Sequence, residues 1–107
     1  MKRQLFLTKQ NLADLPPLGA LDGVAADQVP VAVKFFQPWG SWTWYAMEYD
    51  PAEGRFFGLV VSEMCPEGEL GYFMQGELEG YRGPAGLYIE RDIHWSGTLA
   101  KARERRY

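Results

Sequence analysis

This sequence has few of the side chains on which most catalytic and metal sites depend. It contains one cysteine, Cys65, and one histidine, His94, among 107 residues. A single cysteine excludes an intramolecular disulfide and is typical of a reducing compartment. Cys65 precedes a proline in a predicted turn, with no histidine nearby in the sequence to activate it. A cysteine nucleophile is therefore not expected.

Long apolar runs are also missing. Near the basic start of the chain the apolar patch is limited to Leu5–Leu7. A signal peptide needs an apolar run of about 7–15 residues, and a membrane-spanning helix needs about 20. We therefore expect a soluble cytoplasmic protein with no membrane partner.

The charge is too small to indicate a polyanionic partner. The formal net charge is −3 and the isoelectric point is about 5.1, which gives no field to attract nucleic acid or an anionic membrane. A DNA mimic is excluded as well, because duplex DNA carries roughly one charge per 1.7 Å. The glycines are too dispersed for a phosphate loop or a dinucleotide fingerprint, and we predict no cofactor.

Apolar and aromatic residues are what the chain has in abundance. Hydrophobic residues make up 47% of it and aromatic residues 15%, which argues against disorder. We predict a single domain over residues 1–107 that can bury a core without disulfides or a structural metal. From about residue 99 the chain becomes a basic tail, either helical or frayed, which carries Lys101, Arg103, Arg105 and Arg106.

The first predicted element is a short helix. Thr8 can cap a helix that runs to about Leu15, and the carboxamide of Asn11 completes a capping-box pattern. Leu12 and Leu15 lie on one face of this helix, and the double proline at 16–17 ends it. Residues 18–30 have weak periodicity and predict a loop.

Five strands are predicted after this loop, at residues 31–36, 42–49, 55–61, 70–73 and 87–95. The clearest turn joins the second and third strands, where Asp50, Pro51 and Gly54 match a type I turn with a left-handed closing residue. Residues 64–68 form another turn, and one helical turn at 76–81 precedes the last strand. The predicted fold is α+β: an antiparallel sheet of four to five strands, an N-terminal helix and one short helix before the last strand.

The second and third strands carry apolar residues on both faces. With Tyr49 opposite Arg55 in the hairpin, Met47 faces Phe57, Tyr45 faces Leu59 and Thr43 faces Val61. The other face holds Trp42, Trp44, Ala46 and Glu48 against Phe56, Gly58 and Val60. A sheet face in water is normally polar. This second face is therefore either covered by helix and loop, or an exposed apolar patch used for contact.

The candidate binding surface on that second face consists of Trp39, Trp42, Trp44 and Phe56. Rigid aromatic side chains are enriched among the residues that dominate binding energy at protein interfaces. A homodimer through this face is compatible with both interpretations, since it would cover the patch and use it for contact.

The only metal hypothesis involves Asp92 and His94, which alternate with Glu90 on the polar face of the last predicted strand. Leu87, Ile89, Ile93 and Trp95 form its apolar face. Three ligands along one straight strand span about 13 Å, too far for one ion. A solvent-exposed polar face is the favoured interpretation, and we assign the scattered glutamates between residues 63 and 79 to the same role.

These features favour a non-enzymatic interaction protein that binds another protein or itself. A single-stranded nucleic-acid binder is the alternative, because Lys34, Arg55 and Arg91 lie near aromatic strands on which bases could stack. The basic tail supports this alternative and the acidic balance disfavours it. An unrecognised enzyme is the third hypothesis.

The chain also resembles a bacterial family known as domain of unknown function 2958. The resemblance rests on LTKQNLADLPPL, VAVKFFQPWGSWTWYAMEYD, FFGLV, ELGYF and ELEGYRGPAGLYIERDIHW, which together extend from Leu7 to Trp95. The segment Met74-Gln75-Gly76 departs from the family's Ser or Thr before the short helix, and residues 19–28 and the basic tail are individual to this chain. The resemblance implies a small cytoplasmic protein encoded on plasmids, conjugative elements or phages, and it supplies no catalytic residues.

Overall fold

A computed structural model describes residues 4–104 of the chain. Three short α-helices and five β-strands follow one another in the order α1 (Lys9–Asp14), β1 (Val33–Phe36), β2 (Thr43–Asp50), β3 (Arg55–Ser62), β4 (Cys65–Met74), α2 (Gln75–Gly80), β5 (Glu90–Arg91) and α3 (Leu99–Glu104). Single 3-10 turns occur at Ala26–Gln28 and Pro84–Gly86. None of the helices between residues 4 and 104 has the length and apolar character needed to cross a membrane.

All five strands belong to one antiparallel sheet, in the spatial order β4-β3-β2-β1-β5. The predicted α+β class is confirmed, with its N-terminal helix and with α2 as the short helix before the last strand. The basic tail is helical over Leu99–Glu104, and Arg105 and Arg106 lie outside the described residues.

Helix α1 has the predicted capping box. The Asn11 N–H donates to Thr8 Oγ1 over 3.0 Å, and the Thr8 N–H donates to Asn11 Oδ1 over 2.9 Å. Leu15 is buried in the core, whereas Leu12, predicted to lie on the same face of the helix, is 46% exposed. The Tyr49 N–H donates to the Pro16 carbonyl over 2.9 Å, which attaches the end of α1 to the sheet.

The predicted register of the β2–β3 hairpin is correct at one end and wrong at the other. Thr43 pairs with Val61 and Tyr45 with Leu59, but an irregularity between Ala46 and Glu48 shifts the pairing by one residue. Glu48 therefore lies opposite Phe57 where Met47 was expected, and Tyr49 lies opposite Phe56 rather than Arg55. The shift exchanges the faces to which Glu48 and Tyr49 were assigned.

Gly58 explains why the strand can bulge there. A Cβ atom at Gly58 would lie 1.9 Å from the carbonyl oxygen of Tyr45, so β2 can approach β3 this closely only where a side chain is missing. The turn before β3 is as predicted, since Gly54 closes it with φ of +64° and Asp50 Oδ1 accepts from the Ala52 N–H over 3.1 Å.

Both faces of the sheet are covered over most of their area. We call them the tryptophan face and the tyrosine face after Trp44 and Tyr45. The cluster on the tryptophan face consists of Leu15, Val33, Phe35, Trp44, Ala46, Tyr49, Phe56, Phe73, Leu78 and Ile89. The cluster on the tyrosine face consists of Val29, Val31, Tyr45, Met47, Leu59, Val61, Leu99 and Ala102. Most of the tryptophan face is therefore covered by helix and loop, as in the first of the two interpretations.

Strand β4 is longer than predicted. It spans Cys65–Met74, and the turn before it is confined to Glu63 and Met64. Pro66 had suggested a turn, but proline is tolerated in an edge strand because no neighbouring strand needs its missing N–H. A register irregularity between Val60 and Ser62 accommodates the proline.

Strand β5 is much shorter than predicted, with only Glu90 and Arg91 in the sheet. The Asp92 carboxylate accepts from the His94 N–H over 2.9 Å, and this local turn ends the strand. The predicted apolar face is therefore divided: Ile89 packs on the tryptophan face and Trp95 on the tyrosine face. Ile93 is 67% exposed.

Candidate functional site

The four residues of the predicted aromatic surface lie at very different depths. Phe56 is completely buried, with its ring stacked between those of Tyr49 and Phe73 at centroid distances of 4.6 and 5.2 Å. Its placement on a contact surface is wrong, because the bulge in β2 brings Tyr49 over it. Trp44 is 6% exposed and Trp42 is 37% exposed.

Trp39 connects two loops and is not among the residues that line the groove described below. Its half-buried ring packs against the core of the tryptophan face. A Cβ atom at Gly83 would lie 2.3 Å from Trp39 Cδ2, so the ring lies directly on the Gly83 backbone. Trp39 thereby fixes the loop that follows α2 against the β1–β2 turn.

Tyr81 completes the ring arrangement that the sequence only partly predicts. Trp42 stacks on Trp44 with ring centroids 6.0 Å apart and planes 26° apart. Trp44 stacks in turn on Tyr81, with a centroid distance of 6.3 Å and an angle of 28°. These rings and Gln37 line an open groove of about 240 Å³. We call these four residues the aromatic groove.

Trp42 and Trp44 stand on either side of Thr43, the first residue of strand β2. Because alternate residues of an extended chain point to the same side, Trp42 lies beside Trp44 on the tryptophan face. The Gln37 N–H donates to the Trp42 carbonyl over 2.9 Å and extends the β1–β2 pairing by one step. Gln37 therefore stands opposite Trp42 at the groove wall.

Tyr81 reaches the groove because α2 crosses the tryptophan face. Leu78 of α2 is 1% exposed and anchors the helix in the core. Tyr81 is the residue that ends α2, and 47% of its surface remains exposed. No local pattern in the sequence identifies Tyr81 as the tyrosine that stacks on Trp44, since its position depends on the path of α2 over the sheet.

The lining of the groove is uncharged. The nearest basic residue along the chain is Arg82, whose guanidinium donates to the carbonyls of Glu79 and Tyr81 over 2.8 and 2.9 Å. The same guanidinium lies 4.2 Å from the centre of the Tyr88 ring. Arg82 is thus bound within its own loop, and the groove is lined by three aromatic rings and one carboxamide.

Asp92 and His94 do not form the polar strand face that was expected, because both lie in the turn after β5. Lys34 Nζ lies 3.2 Å from Asp92 Oδ2. Partial burial acts to raise the pKa of Asp92, but the hydrogen bond from the His94 N–H and the ion pair with Lys34 outweigh it, so this pKa lies below its usual value. Between residues 4 and 104, no group of three or more histidine, cysteine, aspartate or glutamate side chains is arranged so that it could hold a metal ion.

Glu48 is a buried carboxylate that the sequence had assigned to the tryptophan face. Its side chain is 3% exposed. Its two oxygens accept from the N–H groups of Gly19 and Leu21, both over 2.8 Å. The irregularity in β2 directs this carboxylate to the tyrosine face, where it holds the loop that precedes β1.

Comparison with known proteins gives a family but no function. No curated protein and no solved structure matches the chain. The family model described as "Protein of unknown function (DUF2958)" matches residues 4–102. This match covers nearly the whole sequence. It agrees with the resemblance that the motifs between Leu7 and Trp95 carry. The chain therefore belongs to the DUF2958 family.

Proposed function

We propose that this protein is a non-enzymatic interaction module that holds an uncharged apolar side chain of a partner protein in the aromatic groove. The observation that carries the proposal is the row of three stacked rings, Trp42, Trp44 and Tyr81, whose two outer members remain accessible. Large rigid side chains bind with little loss of conformational entropy, which is why they dominate interface energetics.

The size of the groove supports a single side chain as its occupant. Its volume of about 240 Å³ is below the roughly 300–1,000 Å³ of typical small-molecule and cofactor sites. Trp44 is the buried middle ring of the row, while Trp42 and Tyr81 on either side of it keep exposed surface. An aromatic or long aliphatic side chain placed in the groove would remove exposed apolar surface of Trp42 and Tyr81 from water.

The lining chemistry supports a neutral apolar occupant over a nucleic-acid base. Proteins that stack single strands combine exposed rings with a basic track for the phosphates. The lining of this groove has no basic residue, Arg82 is bound to neighbouring carbonyls, and the net charge is −3. Single-stranded nucleic acid is therefore the second candidate, and it rests on the near-parallel stacking of the rings.

The family resemblance adds two elements to the proposal, a cytoplasmic location and an origin on a mobile genetic element. We infer from both that the partner is a cytoplasmic protein of the host or of the same element. Sequencing the genes that flank this one in its native genome would test the origin, and genes for conjugation, replication or phage functions are the expected neighbours.

The experiment that tests the function is a pull-down from the native host with three baits: wild type, Trp42→Ala and Leu12→Ala. Leu12 is a matched control, since it is an exposed apolar residue on α1, outside the groove. We expect mass spectrometry to identify a protein retained by the wild type and by Leu12→Ala but depleted on Trp42→Ala. Equal recovery on all three baits would contradict the proposal.

A parallel measurement separates the nucleic-acid alternative. A fluorescent thymidine oligonucleotide is titrated with the protein at low and at moderate salt. Binding that depends on Trp42 and weakens steeply with salt would favour the alternative. The proposal predicts no such binding, because the groove has no basic residue to hold the phosphates.

A further inference from the structure

The two edges of the sheet differ in how their backbone is covered. At β5 the side chain of Gln4 takes the place of another strand: Gln4 Oε1 accepts from the Arg91 N–H over 2.7 Å, and Gln4 Nε2 donates to the Arg91 carbonyl over 3.1 Å. This is the pair of bonds that a neighbouring antiparallel residue would make. Nothing between residues 4 and 104 pairs with the outer edge of β4, which is the other end of the sheet.

The register identifies the outward-facing backbone groups of β4. The Gln75 N–H donates to the Gly54 carbonyl over 2.8 Å, and hydrogen-bonded pairs recur at every second residue of an antiparallel ladder. The other hydrogen-bonded pairs are therefore Phe56↔Phe73, Gly58↔Gly71 and Val60↔Glu69. Leu70 and Tyr72 stand between these pairs, so their N–H and C=O groups are directed away from β3.

The side chains at this edge are unusually apolar. Leu70 is 43% exposed and Tyr72 is 65% exposed, and both lie on the tyrosine face because they pair with Leu59 and Phe57. The Tyr72 ring lies 5.1 Å from that of Phe57 and 5.8 Å from the Arg55 guanidinium. On the opposite face, a Cβ atom at Gly71 would meet nothing within 4 Å.

The protection that proteins normally give to an edge strand is limited to the first half of β4. Proline, bulges and short strands prevent unwanted pairing at edges. Pro66 and the register irregularity near Gly68 provide this before residue 69. The segment from Glu69 to Met74 contains no proline and no bulge, which leaves about six residues of regular, unpaired edge.

Charge determines which extended chain fits this edge. Glu63, Glu67 and Glu69 are exposed in and beside β4, and none of their carboxylates forms an ion pair within the described part of the chain. A second copy of this protein would bring the same three glutamates to the interface. A segment that alternates apolar and basic residues would place its apolar side chains on Leu70 and Tyr72 and its basic side chains toward the glutamates.

We propose that the edge of β4 from Glu69 to Met74 binds such an alternating basic and apolar segment of a partner protein as a sixth strand. Backbone hydrogen bonds to Leu70 and Tyr72 would supply affinity, and the flanking side chains would supply specificity. The apolar contacts with Leu70 and Tyr72 lie on the tyrosine face, whereas the aromatic groove lies on the tryptophan face. Glu69 is on the tryptophan face, two strands away from Trp44 and outside the lining of the groove.

Amide hydrogen exchange of the intact protein, followed by NMR, tests the proposal. In the free protein the Leu70 and Tyr72 amides should exchange at least about tenfold faster than those of Gly71 and Phe73, which donate to β3. A ten-residue peptide that alternates lysine and valine should slow the two fast amides. A peptide with glutamate in place of lysine should not.

Three results would overturn the proposal. Protection of Leu70 and Tyr72 in the free protein, independent of concentration, would mean that the chain itself covers the edge. Protection that increases with protein concentration would identify a second copy as the occupant. Failure of the lysine–valine peptide to protect these amides at millimolar concentration would exclude this class of partner.

Variants then separate edge binding from groove binding and from general electrostatic attraction. The double variant Glu67→Gln/Glu69→Gln should weaken peptide binding at least about threefold, whereas Glu53→Gln, in the exposed β2–β3 turn, should not. Trp42→Ala should leave peptide binding unchanged, and loss of binding in that variant would contradict a separate site. N-methylation of every second backbone nitrogen of the peptide should abolish the protection of Leu70 and Tyr72 when the methylated nitrogens are those that face β4. Methylation of the other alternate set should leave this protection unchanged.

Discussion

The Lys34 ammonium and the Asp92 carboxylate lie 3.2 Å apart, and the Lys34 side chain is only 4% exposed. The lysine also lies 5.8 and 5.9 Å from the ring centres of Tyr45 and Trp95. Asp92 is therefore the acidic partner of a buried cation, and its carboxylate has this structural role rather than that of a free metal ligand. Removing its charge should leave Lys34 incompletely paired.

We predict that Asp92→Asn lowers the free energy of unfolding by about 1–3 kcal/mol at neutral pH, as expected for a lost hydrogen bond between charged groups. The pKa of Asp92 is lowered in the folded state, so its contribution exists above the unfolded-state pKa, roughly 3.9, and is lost as the pH falls through the folded-state pKa. Urea titrations from about pH 6 to about pH 3 should therefore show the difference from wild type shrinking with acidification. A difference that stays constant over this range would contradict the ion-pair account.

Gly58 and Gly71 provide a matched pair that tests the bulge in β2. They face each other across β3 and β4, but a Cβ atom would lie 1.9 Å from the Tyr45 carbonyl oxygen at Gly58 and would meet nothing within 4 Å at Gly71. Gly58→Ala should cost about 2–3 kcal/mol, because the strands must separate. Gly71→Ala should be close to neutral in the same thermal melts, and equal effects of the two substitutions would disprove the close approach.

The turn before β3 depends on Gly54, whose φ of +64° is unfavourable for a β-branched residue. We predict that Gly54→Val destabilises the protein by about 1 kcal/mol or more. Ala52→Val in the same exposed turn is the control, since Ala52 does not have positive φ. A midpoint for Gly54→Val equal to that of the control would show that the closing residue does not require the left-handed conformation.

Glu48 holds the loop before β1 through the N–H groups of Gly19 and Leu21. In Glu48→Gln one of these groups would meet an NH₂ donor, so we predict a loss of about 2 kcal/mol and faster exchange of both amides. Glu53→Gln, at an exposed position, should change neither quantity. Slow exchange at Gly19 and Leu21 in Glu48→Gln would mean that other contacts hold the loop.

Features that depend on neighbouring residues could be predicted from the sequence. The capping box of Thr8 and Asn11 and the turn closed by Gly54 are local arrangements, and both occur as expected. The five strands could be located because each combines apolar residues with adjacent turn residues. The α+β class followed from their order.

Features that depend on distant residues could not be predicted. The bulge in β2 requires Gly58 on the next strand, and the length of β4 depends on its position at an edge, where Pro66 is tolerated. Alternation at residues 87–95 suggested one long strand, but the turn at Asp92 divides it. Of the rings that line the aromatic groove, only Trp42 and Trp44 were predicted from the sequence. Tyr81 was not, because its position beside them depends on the path of α2 over the sheet.

The depth of each aromatic residue predicts its effect on stability. Phe56→Ala removes a completely buried ring and should cost about 3–5 kcal/mol. Trp42→Ala removes a ring that is 37% exposed and should cost much less. Thermal melts of both variants check this order, and the reverse order would contradict the described packing.

Two measurements on Trp42→Ala decide whether the aromatic groove binds a partner: the thermal midpoint, and the dissociation constant for the partner captured by the wild type. If the aromatic groove is a binding site, the midpoint should be nearly unchanged, while binding weakens by about 2 kcal/mol or more, roughly thirtyfold. A large loss of stability with an unchanged dissociation constant would contradict a binding role for the groove, because Trp42 would then belong only to the core.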